Sequence, residues 1–585
     1  MSEQETVFRG IPVSSGVCHG PVIVVGPKTF QVPEYEIRET GIPAELQRFK
    51  LALIKTREEL QKIQRELFDK VQTNEAGIFD AHLLVLEDQT IIDEVTRLVS
   101  DDRMNVEAAF DRITRKFTSA LSAIADNYLR ERAADMKDVA DRVMGNLLGG
   151  RNFDPLSEIK EPSIIIGHDL SPSMTAVFDR EKVLGFATDI GSPTSHTAIL
   201  ARSLNLPAVV ALRDVSSKLT SGQQVLLDGY DGLVILNPSE QTLFQYGEVV
   251  RQHADFESEL ETIRDFPSET LDRSHVHLMT NIDHPNEVSD VKRFGAEGVG
   301  LFRTEYLFLN RSELPDEEQQ FDAYRSAAVQ LEGRALMIRT LDLGADKVAN
   351  AIPDLHEANP ALGLRAIRFC LQHPAIFKQQ LRAILRASAF GSVQLLYPMI
   401  SNLDELLAAN KILEECRDEL RRERVSFDEA MLVGIMIETP AAAMIADILA
   451  PEIDFFSIGT NDLIQYGSAV DRLNEKIADL YQPTHPGILR LIKQVVRAAD
   501  EADVSVGVCG EMAGDPFLVP LLIGLGVRHL SVSAPLAPPV KYVIRNLEVP
   551  QAKALADQAL SSKTSAEVMA ACKRLVASIA PDLDA

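Results

Sequence analysis

Cysteine is sparse in this chain. Its 585 residues include five, Cys18, Cys370, Cys416, Cys509 and Cys572, which are far apart, odd in number and form no CxxC pair. A disulfide framework and a zinc–thiolate site are therefore not expected, and a reducing, cytoplasmic setting is. Basic residues are also in deficit: 59 Lys and Arg stand against 86 Asp and Glu, a formal net charge of −27. Nucleic acid needs basic patches, so it is excluded as the main partner. An acidic surface suits a neutral or basic protein partner instead. No apolar run approaches the ~18 residues that span a bilayer, and the polar start Met1-Ser2-Glu3-Gln4-Glu5 does not open a signal peptide. Neither membrane insertion nor secretion is expected.

Between residues 44 and 148 proline is absent and glycine rare. Turns and sheet are disfavoured there, and apolar residues recur at helical spacing. Leu51, Leu53, Ile54, Leu60, Ile63 and Leu67 form one such face, and Ile78, Phe79, His82, Leu83, Leu86 and Ile91 another. The spacing predicts a bundle of four or more helices. Strand-like runs flank it. Residues 7–25 read as strand, turn and strand around Ser14-Ser15-Gly16, and further runs follow at 163–167, 183–188, 207–211, 224–227 and 233–236. The helical segment is thus an insertion in a discontinuous β/α domain. Residues 239–265 predict a long charged connecting helix.

From about residue 274 apolar strands alternate with amphipathic helices. Eight strands are predicted, at 275–282, 298–304, 336–342, 394–400, 432–438, 455–459, 505–509 and 530–533. Eight such units over about 300 residues are what a (β/α)₈ TIM barrel requires, and barrel chemistry occurs at the C-terminal strand ends. The second predicted strand ends in Arg303-Thr304-Glu305 and the third in Arg339-Thr340-Leu341-Asp342, with Lys347 soon after. The fifth ends in Glu438-Thr439-Pro440, the sixth in Gly459-Thr460-Asn461-Asp462 followed by Asp471-Arg472, and the seventh in Cys509-Gly510-Glu511. A single arginine here reads as a surface ion pair. Several cations and two carboxylates converging on one rim read as a site for an anionic substrate. Arginine pairs with carboxylate and phosphate in a fork. Two neighbouring carboxylates can hold Mg²⁺, and a cysteine facing them can deliver a proton.

One further stretch, Gly191-Ser192-Pro193-Thr194-Ser195-His196-Thr197-Ala198-Ile199-Leu200-Ala201-Arg202-Ser203, follows the run at 183–188. Ser192 as N-cap and Pro193 at the first helical position predict a helix start. Ala198, Ile199, Ala201 and Leu204 are its buried face. His196 then sits in the first turn, where the helix dipole and unpaired N–H groups favour an anion on the imidazole.

These residues resemble a known family, Enzyme I of the bacterial phosphotransferase system, the phosphoenolpyruvate–protein phosphotransferases. The likeness runs from about residue 8 to the C-terminus. It is carried by Thr194-Ser195-His196-Thr197 with Ala201-Arg202-Ser203-Leu204, by Gly300-Leu301-Phe302-Arg303-Thr304-Glu305, and by Glu438-Thr439-Pro440-Ala441-Ala442. Phe455-Phe456-Ser457-Ile458-Gly459-Thr460-Asn461-Asp462-Leu463 and Cys509-Gly510-Glu511 complete it. The resemblance implies that residues 1–34 and 150–238 form a swivelling phosphohistidine domain, and that 35–149 dock the phosphocarrier protein HPr. It further implies a linker at 239–265 and a barrel at 266–585 that binds phosphoenolpyruvate (PEP) and mediates homodimerisation. His196 would accept the phosphoryl group, Thr175 would hydrogen-bond its imidazole, and Arg202 would contact the phosphate. Arg303, Arg339, Asn461, Arg472 and Lys347 would hold PEP, Glu438 and Asp462 would coordinate Mg²⁺, and Cys509 would protonate the enolate to give pyruvate.

The chain departs from the family pattern at Ser192-Pro193, where a second glycine and a variable residue usually stand. That change removes backbone freedom and one N–H that could face phosphate. It is the one feature favouring a second reading, a catalytically weakened regulatory scaffold that binds HPr. A third reading, a PEP synthase or dikinase relative, needs a nucleotide-binding domain before His196, and no Gly-rich phosphate loop is found there.

Overall fold

The computed structural model describes residues 5–26, 32–71, 78–122, 127–149, 159, 161–176, 178–179, 181–192, 195–309, 313–344, 359–472 and 474–583. The chain forms two compact units, Met1–Arg251 and Gln252–Ala585. Among the described residues no helix is long and apolar enough to cross a membrane.

The first unit is built on an eight-stranded sheet. Its strands are β1 (Thr6–Arg9), β2 (Ile11–Ser14), β3 (Val17–Val25), β4 (Ser163–Gly167), β5 (Val183–Thr188), β6 (Ala208–Val210), β7 (Gln224–Asp228) and β8 (Leu233–Leu236). Their order is β1-β8-β7-β3-β4-β5-β6-β2. The segment expected as strand, turn, strand is therefore three strands. The break falls at Gly10: β1 pairs antiparallel with β8, and β2 with β6. Only glycine fits this crossing, since a Cβ on Gly10 would lie 2.4 Å from the Val210 carbonyl oxygen. β3, β4, β5 and β6 run parallel, and β4 is buried along its whole length, as its Ser-Ile-Ile-Ile-Gly run requires.

Between β3 and β4 lie five helices, α1 (Ile42–Val71), α2 (Ile78–Leu86), α3 (Gln89–Ser100), α4 (Val106–Ser122) and α5 (Asn127–Leu147). Leu60, Ile63, Phe79, Leu86 and Ile91 are buried in one core with residues of the sheet, whereas Leu51 and Ile54, expected on the same face, are exposed. A polar tie replaces them: Glu45 pairs with Arg48, Arg48 with Glu107, and Asn105 donates to Glu107 at 2.9 Å. Three short or medium helices follow, α6 (Pro172–Thr175), α7 (His196–Ser203) and α8 (Val215–Lys218). Then comes the connecting helix α9 (Glu240–Ile263), none of whose residues is buried.

The second unit is a closed barrel of eight parallel strands. These are β9 (His277–Ile282), β10 (Val299–Phe302), β11 (Leu336–Arg339), β12 (Val393–Tyr397), β13 (Val433–Ile437), β14 (Phe455–Ile458), β15 (Ser505–Val508) and β16 (His529–Ser533). β16 pairs with β9 to close the ring. Several end one to three residues before their expected ends, because the chain turns outward where the polar residues begin. Leu301, Leu396, Met436, Phe455 and Cys509 form a small core of their own. It leaves no room for a side chain at Gly434, whose Cβ would meet the Phe455 ring at 2.3 Å.

Candidate active site

The C-terminal rim of the barrel carries the polar residues. Arg339 is the last residue of β11. It donates to Glu305 at 2.9 Å and pairs with Asp342 at 2.9 Å. Asp342 also accepts from Arg365, whose Nη2 lies 2.7 Å from it and 3.3 Å from Asp462. Glu438 follows β13 and accepts the Met399 amide at 2.5 Å. The carboxylate oxygens of Asp342, Glu438 and Asp462 lie within 4.8 Å of one another. Asp342 and Arg365 were not expected as parts of the site.

Two backbone distortions hold this cluster. Met399 has φ of 58° and Ala366 φ of 53°, left-handed values that cost free energy for residues with a Cβ. The first turns an amide onto Glu438, and the second immediately follows Arg365.

Burial raises the acid strength problem that this cluster must solve. The Glu438 carboxyl is pushed up to about 8 by burial and by the nearby charges of Asp342 and Asp462. Burial also works against charge on Asp342, but Arg339 and Arg365 outweigh it and hold that carboxyl below its ordinary value. Arg339 is itself buried, and its protonated form is kept by Glu305 and Asp342. Among the described residues its Nε is buried without a hydrogen-bond partner, as is the Thr460 hydroxyl.

A cavity of about 340 Å³ is lined by Arg303, Asn461, Cys509, Gly510, Glu511 and Tyr481, among others. Arg303 is held by Asp283 at 3.0 Å. Asn461 exchanges two bonds with Glu511, donating Nδ2 at 2.9 Å and accepting the Glu511 amide at 2.9 Å. Cys509 is buried, and burial pushes its thiol above the ordinary range. Arg472 is exposed, and its charge acts on Tyr481 and Asp342. Lys347 lies outside the described residues.

In the first unit the helix start differs from expectation. Ser195, not Ser192, is the N-cap of α7, its side chain accepting the Ala198 amide at 3.3 Å, so His196 is the first helical residue. Gly191, at φ of 130°, begins the turn, and the Ser195 amide donates to the Ser192 carbonyl at 3.1 Å. Pro193, Thr194 and the side chain of His196 lie outside the described residues. Leu200 joins Ala198, Ala201 and Leu204 in the core where Ile199 was expected. The Thr197 hydroxyl donates to the Leu170 carbonyl at 2.7 Å, fastening α7 to the segment that enters α6. Thr175 is buried at the end of α6 and donates to the Ser171 carbonyl at 3.1 Å. Arg202 donates to the Val13 carbonyl of β2 at 3.2 Å.

Residues 257–549 match the family model described as PEP-utilising enzyme, PEP-binding domain. Residues 9–132 match the N-terminal model of the same enzymes and 159–232 their mobile domain. A "Phosphoenolpyruvate-protein phosphotransferase" of Bacillus sp. (strain S) is 42% identical over 574 residues, 98% of both chains. The chain belongs to the phosphoenolpyruvate-protein phosphotransferase family. Another member, from Geobacillus stearothermophilus, is also 42% identical over 98% of both chains. A solution structure of an Enzyme I (nEIt) protein is 35% identical, covering 42% of this chain and 99% of its own, at a TM-score of 0.36. As a PEP-utilising enzyme, the chain has its PEP-binding match over the barrel that carries the cavity, and its mobile-domain match over the strands and helix that carry His196.

Proposed function

We propose that this enzyme transfers the phosphoryl group of PEP to His196 and then to an HPr-type phosphocarrier protein, releasing pyruvate. The observation that carries the reading is the buried Arg339, whose unpartnered Nε lies at a rim that also holds Arg303, Asn461 and a thiol. A buried guanidinium with an unsatisfied donor is a ready partner for an anion. Arg303, Arg339, Arg472 and Lys347 bind the carboxylate and phosphate of PEP, and Asn461 orients it.

His196 attacks phosphorus as the neutral imidazole. The bond from phosphorus to the enol oxygen breaks as the nitrogen–phosphorus bond forms, so charge neutralisation and alignment supply most of the catalysis. Thr175 fixes the tautomer by accepting from the other ring nitrogen. Arg202 contacts the phosphate on the imidazole, and the start of α7 favours its charge. The Cys509 thiol then protonates the methylene carbon of the enolate to give pyruvate.

Asp342, Glu438 and Asp462 fit Mg²⁺: the donors are hard oxygens, close together, and a cation offsets the burial and the repulsion that raise the Glu438 carboxyl. Glu438 and Asp462 would hold the ion with Asp342 beside them. When bound it would neutralise the phosphate oxygens. The helical insertion docks HPr, the barrel mediates homodimerisation, the connecting helix α9 lets His196 visit both partners, and the enzyme works in the cytoplasm.

The test is incubation with phosphate-labelled PEP and Mg²⁺, without ATP, beside a His196→Ala control. Acid-labile label on the wild type alone, passed to added HPr, supports the reading. Label requiring ATP points to the dikinases, and no label at all points to the scaffold.

A further inference from the structure

The opposite rim of the barrel holds a second cluster that the phosphotransfer chemistry does not use. β9 begins at His277 and β16 at His529, and the two histidines are register partners. Glu297 lies two residues before β10, and His275 two residues before β9, where it pairs with Glu269 in an isolated bridge. In a parallel barrel these strand starts face away from the PEP-binding rim, separated from it by strands ~15–20 Å long.

The donor atoms converge on one carboxylate oxygen. Glu297 Oε2 lies 3.1 Å from His275 Nε2 and 3.2 Å from His277 Nδ1. All three donors lie within 4.8 Å of one another. Around a tetrahedral zinc ion with bonds of ~2.0–2.1 Å, neighbouring ligand atoms stand about 3.3 Å apart. The two observed separations are His–carboxylate hydrogen bonds, and they lie within about 0.2 Å of that edge, so an ion could replace the shared protons with little movement. The His275 and His277 rings are nearly perpendicular, at 82° with centroids 4.4 Å apart, so their nitrogens point inward instead of the rings stacking.

The cluster is also held in place. His529 stacks on His277 at 16° and 4.4 Å, which fixes the plane of that imidazole. The Glu297 amide donates to Leu278 at 2.8 Å, and the turn before it is pinned by Lys541, which donates to the Gly295 carbonyl at 2.6 Å. The three side chains remain 37%, 43% and 29% exposed, which leaves a water-facing fourth position.

We propose that His275, His277 and Glu297 form a site for a divalent transition metal, zinc by preference, with water as its fourth ligand. The ion clips residues 275–297 together at the base of the barrel. Imidazole donors favour zinc, nickel or copper over magnesium, whereas the all-oxygen cluster at the other rim favours magnesium. The two sites therefore sort ions by chemistry, and this one does not rest on the assigned phosphotransfer.

The test titrates ZnCl₂ into the full-length protein by calorimetry, with Mg²⁺ in large excess to fill the oxygen site. The expected result is about one Zn²⁺ per chain at micromolar affinity, with a rise in thermal midpoint. His275→Ala and Glu297→Gln should each weaken binding at least ~tenfold and abolish the rise, while PEP-dependent phosphorylation without zinc is unchanged. Should His275→Ala fold poorly, His275→Gln keeps the bulk and serves the same comparison. With Co²⁺ in place of zinc, the wild type alone should give the visible bands of a tetrahedral ion. Equal zinc uptake by wild type and variants, or none by the wild type, overturns the proposal.

Discussion

Glu305, which follows β10, and Arg339, the last residue of the neighbouring β11, form a pair at 2.9 Å with side chains 14% and 11% exposed. Burial raises the Glu305 carboxyl, and the Arg339 charge pulls it back. The pair orients the guanidinium while Asp342 takes its other nitrogen. Glu305→Gln keeps the shape but removes the charge that holds Arg339. We expect kcat/KM for PEP to fall about 10–100-fold, a loss of ~1.4–2.7 kcal/mol in transition-state binding. Arg339→Lys, which cannot present a fork, should lose at least as much. Steady-state assays with an unchanged kcat/KM in both variants would show that the pair is only structural.

The Cys509 thiol gives a pH signature. Burial pushes it above the ordinary thiol range, with the charge of Glu438 acting in the same direction and a bond to Ser457 opposing. A raised value keeps the acid form through neutral pH, so loss of this proton should cause no decline in pyruvate release between neutrality and the ordinary thiol range. Cys509→Ala should slow pyruvate release by roughly 10²–10⁴-fold while PEP still binds. A decline centred below pH 8 in the wild type, absent from Cys509→Ala, would mean that the thiolate form inhibits at neutral pH and the thiol is not buried as described.

Much of this was legible in the sequence, for a physical reason. Strands buried on both faces read as continuous apolar runs, and Val433–Ile437 and Phe455–Ile458 appear as such runs within residues 432–438 and 455–459. Residues that follow such a run, among them Arg303, Glu438 and Cys509, inherit their place on the rim. Arg365 does not follow one of the predicted strands, and its link to Asp462 crosses 97 residues, which no local pattern carries. Arg9-Gly10 separates Val7-Phe8 from Ile11 by only two residues, and it is the pairing of β1 with β8 and of β2 with β6 that makes these two strands. Ser192 and Ser195 are equally good caps by type. The turn at Gly191 selects the second.

Gly510 tests how tightly the rim is packed. A Cβ there would lie 2.0 Å from the Thr460 hydroxyl and 3.0 Å from Asn461 Oδ1. That oxygen accepts the Glu511 amide, so Gly510→Ala should displace Asn461. Because the crowding falls on the rim, the expected effect is a KM for PEP raised about tenfold, ~1.4 kcal/mol, with little change in thermal midpoint. A midpoint lowered by many degrees with unchanged KM would assign this glycine to folding alone.

Lys541 makes the sharpest stability prediction. It is only 2% exposed, and its ammonium donates to the carbonyls of Arg264 at 2.6 Å, Phe266 at 3.0 Å and Gly295 at 2.6 Å. Two of these lie between α9 and the barrel's first strand, and the third in the turn before Glu297, so one side chain closes the entry to the barrel. Burial lowers the lysine below its ordinary value, and Glu297 and Asp265 partly restore it. Lys541→Met keeps the apolar stem yet leaves three carbonyls without their donor. A buried acceptor stripped of its partner costs ~1–3 kcal/mol, and partial relaxation limits the sum to about 3–5 kcal/mol. For a unit of this size that lowers the midpoint of the barrel transition by roughly 4–7 °C. Lys541→Arg should recover only part of it, because the longer, planar head does not fit a pocket shaped for three converging carbonyls. A midpoint for Lys541→Met within 1 °C of wild type would mean that water replaces the ammonium without loss, and the clamp would then carry no stability.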